Sequence, residues 1–287
     1  MSMGNTQSVL QVSGSIVAYN NKPEQIALAV RSYVSNPLRL SLTVIDNSPT
    51  DDLRAIVTEA GAEYCFNRRN VGFGAGHNIA IRKYSRASEY HLILNPDVSF
   101  GPEVLETLYQ FMQSNPDVGL VMPRVLYPGG DEQHLCKLLP TPSDLLIRRF
   151  GGSFGRLFFR GKLDRYLLRG VDLTKPRVVP SLSGCCMLVR TSLFQKIGMF
   201  DERYFLYMED VDLCRRIGEV SKTVYFPDVS VCHEYQKGSY YNWLLMKHHV
   251  KSAWMYFSKW GWFVDKTRDR LNQSWSQSAE APSVLSR

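Results

Sequence analysis

The run Tyr90-His-Leu-Ile-Leu-Asn-Pro-Asp-Val-Ser-Phe100 constrains the fold more than any other stretch of the chain. His91 to Leu94 reads as a short buried strand, and Pro96 stops it because proline has no N–H to give to a sheet ladder. Asn95 and Asp97 are thereby delivered to the strand's carboxyl end, which is where open α/β sheets hold their ligands. A carboxylate there is a candidate contact for a metal ion or a phosphate. Asn, Pro and Asp together also make an ordinary turn, so the choice depends on what other strand ends supply.

Those strand ends recur in a regular order. Gln11 to Ala18 reads as a strand followed by Tyr19-Asn20-Asn21, and Pro23 suits the first turn of a helix carrying Ile26, Leu28, Ala29, Val30 and Tyr33. Leu40 to Ile45 is the next strand, closing on Asp46-Asn47-Ser48, and a right-handed crossover makes it a parallel neighbour of the first. Asp46 is a candidate contact for a ribose or a pyrimidine imide, or else a cap or turn residue. Thr50 or Asp51 then caps a second helix, and Glu63 to Phe66 forms a third strand. Beyond Asp97, a helix from Pro102 to Met112 and a strand from Gly119 to Met122 complete four βα units, which predict a doubly wound, Rossmann-like nucleotide-binding half.

Asn70-Val-Gly-Phe-Gly-Ala-Gly-His-Asn78 places three glycines at alternate positions. Such a run lets backbone approach a ligand closely, and a helix from Ile79 to Tyr84 offers its N–H groups to an anion. A nicotinamide-binding fingerprint is rejected, because it belongs after the first strand and this run follows the third with different spacing. Arg68 and Arg69 just before it suit phosphate or remain solvated loop charges.

The 287 residues suffice for one large domain, or for one domain with an appendage. A net charge of +7 points to a basic surface, attractive to nucleic acid, anionic lipid or phosphorylated substrates. No window resembles a membrane span and Met1 to Gly14 lacks the pattern of a signal peptide, so a cytoplasmic location is expected. The six cysteines form no C-x-x-C pair, which fits reduced, buried thiols. Residues 137–177 hold ten Lys or Arg against Asp144, Asp164 and Asp172, interleaved with Phe150, Phe154, Phe158, Phe159 and Tyr166. This pattern suits nucleic-acid stacking, an anionic membrane surface, an arm over an active site, or a helical pair with a solvated basic face. The absence of a nucleic-acid module favours membrane or acceptor.

Ser183 and Gly184 open a further strand whose glycine admits a ligand or backbone. An aromatic run, Phe205 to Tyr207, then leads into a helix beginning Glu209-Asp210-Val-Asp212. Carboxylates at a helix start are stabilised by its dipole, which is reason enough for them. A carboxylate sheltered by aromatics is also suited to act as a general base. Ser230 to Cys232 reads as a strand presenting His233.

Taken together, these pieces resemble the family 2 glycosyltransferases of GT-A fold, and among them bacterial rhamnosyltransferases of O-antigen and related lipopolysaccharide biosynthesis. The resemblance rests on Ile16 to Asn20, Ile45 to Ser48, Asn70 to Gly74 with Asn78, Asn95-Pro96-Asp97, Ser183-Gly184, Phe205 to Leu213, and His233 with Gly238-Ser239. It implies an inverting transfer from a nucleotide-sugar donor, dTDP-L-rhamnose or alternatively a UDP-linked sugar, to a glycan or polyprenyl-diphosphate-linked acceptor. It also implies Asp210 as base with Glu209 beside it, and Ser183, Gly184 and Asp212 on the acceptor side. Ala18, Tyr19, Asn20, Asp46, Arg69, Asn70, Gly72, Asn78, Asn95 and Asp97 would face the donor, with Asp97 and His233 holding Mg²⁺ or Mn²⁺. Many relatives carry Asp-x-Asp where this chain has Asn95-Pro96-Asp97, and a single Asp suffices for Mg²⁺ when phosphates and water complete its shell.

The expected organisation is a glycosyltransferase domain at 8–240, with a donor half at 8–123 and an acceptor and catalytic half at 124–240. A helical extension at 241–271 and a disordered tail at 272–287 follow. Four tryptophans with lysines between them, from Trp243 to Trp262, suit a helix lying on the inner face of the cytoplasmic membrane or one packed on the domain. Pairing as a homodimer stays open, and nucleic acid is not an expected partner. A sugar nucleotidyltransferase would need a glycine-rich basic loop where Tyr19-Asn20-Asn21 stands. A noncatalytic nucleic-acid binder would explain the charge alone.

Overall fold

The computed structural model describes residues 9–151, 158–234 and 243–277. Gly238-Ser239, the middle of the basic segment and residues 278–287 lie outside them. The first half follows the expected alternation: β1 (Leu10–Ala18), α1 (Pro23–Val34), β2 (Leu40–Asp46), α2 (Arg54–Glu59), β3 (Glu63–Phe66), α3 (Phe73–Tyr84), β4 (Ser88–Leu94), β5 (Val98–Ser99), α4 (Pro102–Ser114) and β6 (Val118–Leu126). Pro23 and Pro102 both open their helices, where a missing N–H costs nothing. The second half runs α5 (Pro142–Phe150), α6 (Arg160–Tyr166), β7 (Arg177–Val178), β8 (Cys186–Arg190), α7 (Thr191–Ile197), α8 (Glu209–Gly218), β9 (Lys222–His233), α9 (Trp243–Trp260) and α10 (Lys266–Gln277).

All described strands join one mixed sheet in the order β3-β2-β1-β4-β8-β6-β9-β5, with β7 on β9. β1, β2, β3 and β4 are mutually parallel, so their carboxyl ends share one edge. β8 enters antiparallel between β4 and β6. Residues 8–123 and 124–240, expected as two halves, therefore share a single sheet. β6 also continues through Pro123, where a strand ending at Met122 was expected. The sheet accommodates that proline at a register shift between Pro123 and Arg124, the place where a missing donor is tolerated.

The core lies on both faces of this sheet. One side gathers Ile16, Ile26, Val30, Leu92, Leu108 and Phe111, the other Ile93, Met187, Val189, Leu213, Ile217 and Tyr256. All six cysteines are free thiols, four buried and two half-buried. Under the first strands lies a buried polar row: His91 Nδ1 is 2.8 Å from Ser13 Oγ and its Nε2 2.8 Å from Ser15 Oγ, which in turn is 2.7 Å from His77 Nδ1.

The C-terminal elements are bound to the sheet layer. Asn272 exchanges two hydrogen bonds with the Leu139 backbone, and Trp275 packs against the second core. Asn272 to Gln277, placed in the tail by composition, thus continue α10, because polar residues there find backbone partners on the domain.

Candidate active site

Three strand ends and one helix start converge on the crevice. β4 stops at Leu94, and the Asn95 N–H donates to Cys185 O at 2.8 Å. The two-residue strand β5 then pairs Val98 with His233, which swings Asp97 against that histidine. Asp97 Oδ1 lies 3.3 Å from His233 Nε2. Asn95 Nδ2 is also 3.3 Å from Nε2.

Gln133 sets the state of the imidazole. Its Nε2 donates to the carbonyls of His233 at 2.7 Å and Leu126 at 3.3 Å, which leaves its Oε1 3.0 Å from His233 Nδ1. An acceptor at that position places the ring proton on Nδ1, so that Nε2 accepts from Asn95 Nδ2 and stands beside Asp97 Oδ1. Asp97 Oδ1 is buried and receives no hydrogen bond. A buried carboxylate oxygen without a hydrogen bond, next to an oriented imidazole, is a fair donor pair for Mg²⁺ or Mn²⁺. No cluster of three or more His, Cys, Asp or Glu among the described residues forms a closed cage, so phosphate oxygens and water would complete the shell.

Asp210 faces this pair through adjacent residues of one loop. The Gly184 N–H donates to Asp210 Oδ2 at 3.2 Å, and the next residue, Cys185, is the one that receives Asn95. Asp210 Oδ1 accepts from Val211 N at 2.8 Å, and the side chain is half-buried. Glu209 is buried with Oε2 unpartnered, and burial, reinforced by the Asp210 charge, raises its carboxyl to about 8. The pair thus divides into a carboxylate open to the crevice and a buried carboxylic acid. Tyr207 and Met208 just before them both hold positive φ, 69° and 70°, strain that non-glycine residues rarely bear away from functional sites. The N-cap residue, Met208, has no polar side chain to cap the helix, and of the acidic trio Asp210 takes one first-turn N–H, that of Val211.

Several expected contacts prove to hold protein. A Cβ on Gly72 would stand 2.4 Å from Phe205 O, on Gly74 2.9 Å from the Phe200 side chain, and on Gly76 2.7 Å from Val17. Gly72 and Gly74 make room for the loop that carries Phe200 and Phe205, Gly76 for Val17 of β1, and α3 begins among them with the Phe73 N–H donating to Phe205 O at 3.0 Å. Asn78 is buried and bridges to the Phe200 backbone in both directions, with a further bond to Glu202. Asp212 is fully buried and binds Lys259 at 2.7 Å, Trp260 Nε1 at 2.8 Å and Arg216 at 2.8 Å. It anchors the C-terminal helix to α8 and does not face the crevice, because it lies about 200° round the helix from Asp210.

The residues expected to face a donor sit at and beyond the ends of β1, β2 and β3. Asp46 is buried, accepting from Ser48 N at 2.9 Å and from the Tyr64 hydroxyl at 2.6 Å. Ala18 is buried and accepts from Asn47 N, Tyr19 is half-exposed at 52%, Asn20 holds φ 54°, and Arg69 is exposed. Asn70 Oδ1 accepts from Gly72 N at 2.9 Å and shapes the turn into α3. Ser183, half-buried, lies beside Gly184 over Asp210. Sequence reasoning missed Gln133, Tyr64 and the strained pair Tyr207-Met208. A polar residue 100 positions from its histidine carries no local signal, and positive φ at Tyr and Met is not written in their side chains.

The family model of Glycosyl transferase family 2 matches residues 15–198. The chain is 30% identical over 209 residues to the N-acetylglucosaminyl-diphospho-decaprenol L-rhamnosyltransferase of Mycobacterium tuberculosis (strain ATCC 25618 / H37Rv), covering 68% of this chain and 66% of that protein. It is 26% identical over 245 residues to rhamnosyltransferase WbbL of Escherichia coli (strain K12), covering 80% and 87%. The crystal structure of GalNAc-T7 with UDP, GalNAc and Mn²⁺ superposes with a TM-score of 0.60 at 15% identity, over 93% of this chain and 55% of that one, which shows the GT-A fold. The mycobacterial relative is matched over just under two thirds of its own length. The matched segment carries the strand ends of the donor side and stops before Glu209-Asp210, so those acids stand on geometry, and the chain belongs to glycosyl transferase family 2.

Proposed function

We propose that the chain transfers L-rhamnose from dTDP-L-rhamnose, with inversion, to a hydroxyl of a glycan or lipid-linked acceptor in O-antigen or related cell-surface polysaccharide assembly. The observation that carries this reading is Asp97 with His233 on one flank of the Gly184-Cys185 turn and Asp210 on the other. Asp210 takes the proton of the acceptor hydroxyl as its oxygen forms the bond to the anomeric carbon, and the bond from that carbon to the nucleoside diphosphate breaks with its electron pair leaving on the phosphate. Asp97 and His233 would hold Mg²⁺ or Mn²⁺, which when bound neutralises charge on the departing diphosphate. Ala18, Tyr19, Asn20, Asp46 and Arg69 line the nucleotide end, and Ser183 and Gly184 the acceptor end.

Peripheral contact with an anionic membrane belongs to the same reading. α9 contains no acidic residue and exposes Trp243, Leu244, Val250 and Trp254 with Lys247 and Lys251 between them, and Phe263 beyond it is 85% exposed. Apolar and basic side chains on one helix face suit a lipid interface. Among the described residues no helix is long and apolar enough to cross a membrane. The mycobacterial relative's name gives an acceptor joined to a polyprenol through diphosphate, in keeping with that surface.

The test is thermal stabilisation by dTDP and by UDP, with and without Mn²⁺, in the native chain and in Asp97→Ala. dTDP is expected to stabilise more strongly with Mn²⁺, and Asp97→Ala to remove most of the metal's share. Equal shifts in both proteins would overturn the metal assignment, and a larger shift with UDP would move the donor to a UDP-sugar.

A further inference from the structure

Asp46, at the nucleotide end of the crevice, has no exposed surface. Each of its carboxylate oxygens already holds one donor: the Ser48 N–H on Oδ1 at 2.9 Å and the Tyr64 hydroxyl on Oδ2 at 2.6 Å. A nucleotide therefore reaches this carboxylate only where one of the two gives way. The Ser48 donor is backbone, in the turn that follows β2, and the Asp46 carbonyl beside it accepts from Asn67 N at 2.9 Å. Release on that side would pull β2 and the segment after β3 apart.

The Tyr64 donor is a side chain on the edge strand of the sheet. Tyr64 pairs in register with Val44, so its ring lies on the face that Val44 shares with Asp46 and its hydroxyl reaches the carboxylate two residues on. The residue is half-buried, and the Arg54 guanidinium lies over its ring, 4.9 Å from the centroid. Arg54 in turn pairs with Asp51 at 3.0 Å, and both are exposed, so water competes for this restraint. Burial, and then the bond to Asp46, push the Tyr64 hydroxyl far above its ordinary value, which keeps it protonated and a donor.

We propose that the Tyr64 hydroxyl is a stand-in for the imide N–H of a thymine or uracil ring, holding Asp46 Oδ2 in the free protein and swinging aside when the base enters. The inference rests on the glycosyltransferase reading above and adds the residue that positions Asp46 for base selection. The exchange is one donor for one donor, so the buried carboxylate stays satisfied in both states. A base without an imide proton displaces the hydroxyl and returns nothing, which leaves a buried acceptor unpaired and is costly. Tyr64 thus competes with every ligand for Asp46, and only an imide base replaces what it removes.

The experiment titrates the full chain by calorimetry, with Mn²⁺ present, using dTDP, UDP and the N3-methyl analogue of dTDP, in the native protein and in Tyr64→Phe. The variant is expected to have a lower thermal midpoint when free, because Asp46 loses a donor, and yet to bind dTDP and UDP about tenfold more tightly. The N3-methyl analogue should bind weakly to both proteins and gain nothing. A tyrosine that only braces Asp46 would lower the midpoint without raising affinity, and that result would overturn the proposal. An equal gain for the N3-methyl analogue would overturn it too, since Asp46 would then not meet the imide. Where Tyr64→Phe fails to fold, Arg54→Gln, an exposed change that frees the Tyr64 ring, should raise dTDP affinity by a smaller factor, and an unchanged affinity there would count against the exchange. No binding of dTDP or UDP to the native chain would strike the transferase reading and this proposal together, whereas binding that the variants leave unaltered strikes the proposal alone.

Discussion

Arg215 and Asp265 meet in a two-pronged ion pair, Nη1–Oδ2 at 2.5 Å and Nη2–Oδ1 at 2.7 Å, with both side chains almost wholly buried. Arg215 sits on the same helix as Asp210, and Asp265 joins the two C-terminal helices. The extension therefore braces the helix that carries the proposed base, assisted by Lys259 and Trp260 on Asp212.

Removing one partner strands a buried charge. Asp265→Ala is expected to lower stability by about 3 to 5 kcal/mol, read from urea unfolding. Lys259→Met, which breaks a less buried contact, should lose less. No difference between these variants and the native chain would mean that the extension is only an appendage.

Asp210→Asn keeps size and hydrogen bonding but removes the basic lone pair. Donor binding should persist while transfer falls roughly 10²- to 10⁴-fold, about 3 to 5 kcal/mol of barrier. Full turnover in that variant would show that another group takes the proton.

Glu209→Gln replaces a buried acid with its neutral isostere. Because the Glu209 pKa is raised in the fold, its contribution to stability is fully present below the unfolded value and is lost as pH rises towards about 8. The glutamine variant should retain most transfer and lose that alkaline fall, measured by unfolding between pH 5 and pH 9. An unchanged slope would mean that Glu209 is ionised in the fold.

His77 and His91 carry the opposite sign. Burial pushes His91 down to about 3 and His77 well below its ordinary value, so the folded state holds both neutral among serines. Their depressed pKa values give stability that is intact above the unfolded pKa and lost as pH falls below about 6.5, at roughly 1.4 kcal/mol per pH unit for each. Unfolding measured from pH 7 to pH 5 should show this slope, and His91→Gln should reduce it.

Gly72→Ala adds a Cβ where φ is +91° and Phe205 O stands 2.4 Å away. Roughly 1 to 3 kcal/mol of stability should be lost, and transfer should fall further because the displaced segment leads into Glu209-Asp210. Gly61→Ala, with the same sign of φ but open space, serves as the comparison. Similar effects at both positions would mean that backbone strain alone is responsible.

Local chemistry in the chain determines much of this protein. Pro23 and Pro102 start helices, Pro96 ends the central strand, and short apolar runs between them carry a parallel sheet, because each effect acts within a few residues of its cause. The positions of Asp46, Asp97, Asp210 and His233 at the ends of strands or the start of a helix follow from the same cues. What each side chain meets was settled only by tertiary structure. Asp212 looked like a third acceptor-side acid until Lys259 and Trp260, almost fifty residues on, were seen to hold it. Three glycines read as a ligand cradle, whereas Phe205, Phe200 and Val17 fill the space they leave. Gln133, which orients His233 across 100 residues, has no signature at all. Hydrogen bonds and close packing are decided by distance in space, and antiparallel entry of β8 between β4 and β6 creates neighbours that periodicity, a property of adjacent residues, does not record.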